Sequence, residues 1–223
     1  MRKWSPRYFR GQIPEIFRSA ESSITNFLSS RPKRRLKLDG GRITGTPSVS
    51  RALKYLPKIP INSLKLTHEI TSGAISSNLM DNLLNLTDKC DDILDKTHYL
   101  SREIKRMNID YKRTNGTAII ASSYKTFRIM IDKSREAIKS VSAMFTDTNM
   151  DSLKEERMKI EVLEESVDEL KDNLIDDIYR HADEMHFLVY DHLMSLVHKI
   201  DDMVDDCEDI SDLLLNIILS VSK

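Results

Sequence analysis

Seven carboxylates and no basic residue stand between positions 200 and 212. Asp201, Asp205, Glu208 and Asp212 step by four, three and four, so on a helix they share one face. Asp202, Asp206 and Asp209 form a second stripe beside it. Upstream, Glu161, Glu164, Glu165, Asp168 and Asp172 cluster in the same way. Carboxylates one helical turn apart can chelate a cation or bridge two, and oxygen donors suit hard ions such as Mg²⁺, Ca²⁺, Mn²⁺ or iron. The same spacing also describes an ordinary solvated helix face. Compensating charge separates the two readings. Like charges one turn apart destabilise a helix by about 0.2–0.5 kcal/mol each, and a bound cation would relieve that repulsion where no nearby base does.

Other chemistry finds little support. His181, His186, His192 and His198 crowd one stretch, and Asp183-x-x-His186 and Asp95-x-x-His98 place a carboxylate one turn from an imidazole. The di-iron bundle pattern, however, needs Glu-x-x-His on two helices, and that spacing occurs nowhere here. His186 continues an apolar seam, which predicts a packed, hydrogen-bonded ring; His198, three residues before Asp201, is the weaker ligand candidate. The chain has no HExxH, GxSxG, GxxxxGK or GxGxxG. Cys90 and Cys207 fall on seam positions and read as small core residues. No residue is a candidate catalyst, and a non-enzyme is expected.

The elements that must position the carboxylates follow from punctuation. Residues 1–60 hold 14 Lys/Arg against 3 Asp/Glu, all six prolines and four of the six glycines. Residues 61–223 hold 20 against 32 and no proline. The boundary therefore lies near 60, between a basic arm and a helical body. The arm carries a short amphipathic helix after Pro14 and then a Gly/Pro/Ser-rich linker. Its cations and aromatics suit anionic lipid, nucleic acid or the acidic body of another copy. No apolar run is long enough to span a membrane and no signal-peptide core opens the chain, so a cytoplasmic location is expected.

Within the body, Leu79, Leu83, Leu86, Cys90, Ile93, Thr97, Leu100, Ile104, Met107 and Tyr111 follow at spacings of four and three. Val189, Leu193, Leu196, Ile200, Met203, Cys207, Ile210, Leu214, Ile217 and Val221 do the same. Two further seams run from Ile120 to Phe145 and from Ile160 to Leu174. The fold class is all-α, an antiparallel helical bundle. The first helix region, about 62–113, should break close to Gly73. Ser152 with Glu155 predicts a capping box, and a turn is expected near 181–186 with Asp183 as the cap. A shift of 117 residues lays TDKCDDILD (87–95) over VDDCEDISD (204–212), so an internal duplication is expected.

LMDNLLNLTDKCDDILDKTHYLSREI, KIEVLEESVDELKDNLI and HKIDDMVDDCEDISDLLL resemble PhoU-related proteins, above all the uncharacterised branch associated with Pit-type phosphate transporters. The resemblance implies three-helix-bundle repeats with E/D-x-x-x-D motifs that bind metal on the bundle surface. It places those motifs at Glu164 and Asp168, at Asp201 and Asp205 with Glu208 and Asp209 following, and at Asp88 and Asp92. The N-terminal half is incomplete: the shift carries Glu164 and Asp168 onto Pro47 and Arg51, and Leu84 replaces one acid. One site from 164, 168, 201 and 205 is therefore expected, holding a divalent or ferric ion (Fe, Mn, Mg or Zn). The implied function is regulation of phosphate uptake through an inorganic phosphate transporter, as a homodimer, with residues 1–60 at the anionic inner membrane surface. The alternatives are a metal-free helical adaptor or dimerisation module, and an arm that binds nucleic acid.

Overall fold

A proline-free stretch with an apolar residue every three or four positions is best satisfied in water as a helix whose seam is covered by another helix. The structure, a computed structural model, describes residues 77–106, 117–147 and 149–221. The arm over 1–60, its boundary, the break expected near Gly73 and the seam positions Met107 and Tyr111 lie outside the described residues. Among the described residues there are four long helices, α1 Ser77–Arg106, α2 Thr117–Thr146, α3 Met150–Arg180 and α4 Phe187–Val221, with a 3-10 turn, Ala182–Glu184, before α4. None of them is long and apolar enough to cross a membrane.

The fold is an all-α bundle in which α2, α3 and α4 run up, down and up. α4 packs against each of the other three helices, and α1 lies antiparallel along it. The antiparallel register is fixed by Lys89 opposite Asp209, Lys96 opposite Asp202, and Glu103 near His192. The expected seams are the core: Leu83, Leu86, Cys90, Ile93 and Leu100 of α1 meet Val189 through Ile217 of α4 in one continuous cluster. Each fully buried Leu or Ile contributes about 1.5–3 kcal/mol. Enclosure on three sides widens the buried face of α4 beyond its seam, to Val197, Val204 and Ser211 and even to Asp201 and Asp206.

Two helix starts differ from expectation. Asn149, not Ser152, opens α3; its side chain accepts from the Asp151 amide at 2.9 Å, while its own amide donates to Asp147 Oδ1. A short Asx-type connection satisfies the first free amide without a capping box. At the α3–α4 turn, Asp183 belongs to the 3-10 segment, and His186 Nδ1 accepts from the Leu188 amide at 3.2 Å. His186 is therefore an exposed cap, and the packed ring expected from the seam is corrected: the seam first becomes buried at Val189.

Candidate functional site

The two acidic stripes of α4 face different neighbours. The stripe Asp201, Asp205, Glu208 and Asp212 faces α3, where Lys171 pairs with Asp201 at 2.9 Å and Arg157 with Asp212 at 2.6 Å. The second stripe faces α1. Lys89 reaches Asp206 at 3.1 Å and Asp209 at 2.6 Å, and Lys96 pairs with Asp206 while donating to the Asp202 carbonyl at 2.9 Å. Asp202 itself pairs with Lys199 one turn earlier. The bases missing from residues 200–212 are thus supplied by the neighbouring helices and by Lys199 of α4 itself.

Of the eight carboxylates that the resemblance places in metal motifs, five lie on the facing sides of α3 and α4: Glu164 and Asp168 of α3, and Asp201, Asp205 and Glu208 of α4, near enough for the other four to act on the Glu164 carboxyl. Burial, reinforced by the charges of Asp168, Glu208, Asp205 and Asp201, pushes the Glu164 carboxyl up to about 7. Burial likewise lifts Asp201 to about 6, against the opposing pull of Lys171. Asp205 and Glu208 are raised too, chiefly by burial, with Asp168 and Asp212 respectively as the largest charge contributions. Asp168 goes the other way: Lys171 donates to it, and its carboxyl also lies within hydrogen-bonding reach of Asp201 and Glu164. Glu164, Asp205 and Glu208 form no ion pair among the described residues.

The other three lie elsewhere. Asp209 is turned to Lys89 of α1. Asp88 and Asp92 are exposed on α1, where with Asp95 they raise the half-buried Asp91, itself lifted first by burial. His198 lines a shallow groove of about 390 Å³ with Tyr99 of α1 and Tyr190, Met194, Ser195 and Lys199 of α4. Burial lowers the pKa of His192, against the opposing pull of Glu103, 3.7 Å away. Neither histidine joins the carboxylates of α3.

Lys171 is the member of this face that the spacing of acids alone does not reveal. It stands three positions after Asp168, on the same face, and its ammonium pairs with both Asp168 and Asp201. Burial would lower its pKa; the two carboxylates more than reverse this and raise it. The donor chemistry of this face fits a hard cation. As the side chains stand, however, no three His, Cys, Asp or Glu among the described residues are gathered around one point where they could hold a metal ion.

The raised Glu164 makes a pH prediction for the metal-free protein. The folded state holds this proton more tightly than the unfolded chain, so the cost of the carboxylate is absent below about 4.5 and fully present above about 7. Glu164→Gln is expected to stabilise at pH 8 by about 1 kcal/mol, after solvent screening on this half-open face, and by nothing near pH 4. Thermal melts in chelator across that range check it; a gap independent of pH would contradict the assignment.

No family model and no curated protein matches the sequence. Among solved structures, the chain is similar to a PhoU-like protein from Shewanella oneidensis MR-1, with a TM-score of 0.56 and 12% identity over 95% of this chain and 96% of that one. At this identity the likeness is one of fold, and the bundle is PhoU-like.

Proposed function

We propose that this PhoU-like helical protein is a non-enzymatic regulator of phosphate uptake, of the branch associated with Pit-type transporters, acting on an inorganic phosphate transporter at the inner membrane surface. In this reading Glu164, Asp168, Asp201 and Asp205, with Glu208 beside them, hold a divalent or ferric ion. The ion would supply a positive docking point for phosphate or for an acidic partner. What supports the reading is the apposition of the α3 and α4 acidic faces, joined where Lys171 pairs with Asp168 and Asp201 and where Glu164 stands under the charges of Asp168, Glu208, Asp205 and Asp201. Asp209, Asp88 and Asp92 are not part of this group. The basic arm, at about 1 kcal/mol per Lys/Arg near an anionic surface, would hold the protein at the membrane, and the body would dimerise.

Elemental analysis of protein purified without chelator tests the reading. At least one equivalent of metal is expected, and Glu164→Gln combined with Asp205→Asn should lose it. One observation favours a second reading, a metal-free helical adaptor: Lys89, Lys96, Arg157 and Lys171 already neutralise much of α4. A concentration-dependent dimer in light scattering, with no metal in the wild type, would favour the adaptor.

A further inference from the structure

We propose that the apolar stripe where α3 gives way to α4 is the docking site of residues 1–28 of the same chain. Phe187, Leu188 and Tyr179 are 70%, 64% and 59% exposed there, and such a concentration of large apolar side chains in water marks an interaction surface. Phe187, Tyr190 and Met194 recur at i, i+3 and i+7, so they share one face of α4. The Tyr179 ring meets that of Tyr190 edge-on, with centroids 5.9 Å apart, which joins the end of α3 to the stripe. Tyr190 and Met194 lead on into the shallow groove where Tyr99 of α1 stands. Exposed acids border it: Asp183 and Glu184 before α4, Asp191 in its first turns, and Asp95 one turn before Tyr99. None of these four forms an ion pair among the described residues, and Lys199 of the groove is already paired with Asp202.

Residues 1–28 complement this surface in charge and in apolar content. They hold five Lys/Arg against two Glu, with Trp4 and Phe9 among the cations and Ile13, Ile16, Ala20 and Ile24 at the spacing of one helical face. Reach permits the contact. Tyr99 lies 22 residues along α1 from Ser77, about 33 Å at the helical rise. The 48 residues between Leu28 and Ser77 can extend to about 160 Å. A second copy of the body fits this end less well: the three exposed side chains offer on the order of 400 Å², against about 800 Å² buried per partner in a stable dimer. The proposal is independent of the metal and transporter reading, and it gives the arm a docking site on the body besides an anionic surface.

Trp4 is the single tryptophan of the chain, so its fluorescence reports docking in the full-length protein without a label. Its emission should be blue-shifted and poorly quenched by acrylamide. Phe187→Ser combined with Leu188→Ser changes two exposed positions outside the core cluster. The ratio of docked to free arm should then fall by more than about tenfold, and the emission should move to that of indole in water. A second measurement needs no variant to fold. Carbodiimide coupling of wild-type protein, mixed with its ¹⁵N-labelled copy, should link Lys3 to Asp183, Glu184, Asp191 or Asp95 within one isotope. Trp4 already open to acrylamide in the wild type, or shielded equally in the double variant, overturns the docking site. Absence of those links does the same, and links that join the two isotopes overturn the same-chain assignment. None of these results bears on whether the carboxylates hold metal.

Discussion

Asp206→Ala is expected to lower stability by about 3 kcal/mol, most of it through release of α1. Asp206 is 2% exposed and is the common partner of Lys89 and Lys96, the two bases by which α1 grips α4. After the substitution Lys89 retains Asp209, but Lys96 keeps only the Asp202 carbonyl, with its side chain 17% exposed. Breaking a buried pair from one side costs more than the pair itself contributes, since it strands the other charge. The loss should appear as a fall in melting temperature of about 10 °C and as an early transition in denaturant, because α1 packs chiefly on α4. Asp206→Asn, which keeps the shape and one acceptor, should lose less. A drop under about 1 kcal/mol would show the clamp to be no stronger than a surface ion pair.

The two thiols should report the same opening. Cys90 and Cys207 are 1% and 0% exposed on the α1 and α4 seams. Burial raises both thiols well above their ordinary value, and Cys207 Sγ donates to the Met203 carbonyl at 3.2 Å. A disulfide reagent attacks through the thiolate, so reaction must wait for α1 to lift from α4. At pH 8 both cysteines are expected to react about 10³-fold more slowly than in denaturant, the signature of a local opening near 4 kcal/mol. They should react in one kinetic phase, and Asp206→Ala should accelerate that phase. Two unequal rates, or fast reaction of native protein, would mean that the thiols are not covered by a shared interface.

Much of this architecture is legible in the order of residues. Spacings of four and three mark the seams without ambiguity, and Leu83 to Leu100 and Val189 to Ile217 are buried as that period requires. The division of the α4 acids into two stripes is equally plain, since it depends only on helical angle. Which neighbour each stripe meets is a tertiary fact. Nothing near residue 206 in the chain points to Lys89 or Lys96, more than a hundred positions away. Local capping is the other gap. Ser152 with Glu155 fits the box pattern, yet Asn149 lies nearer the end of α2 and takes the role first. Lys171 was accessible in principle: Asp168-x-x-Lys171 is an ordinary one-turn ion pair, and only the approach of Asp201 turns it into the centre of a cluster.

Lys89 and Asp206 are separated by 117 positions, the same shift that superposes the two acidic motifs, and so are Cys90 and Cys207. Positions related by that shift therefore pair with one another across the α1–α4 contact at Lys89 and Asp206. An interface of this kind tolerates cysteine on both sides, because a buried thiol carries no charge. It does not tolerate the same charge on both sides. Were the halves identical there, ammonium would confront ammonium or carboxylate would confront carboxylate. Lysine at 89 against aspartate at 206 makes the two motifs complementary to each other and repellent to themselves across this contact.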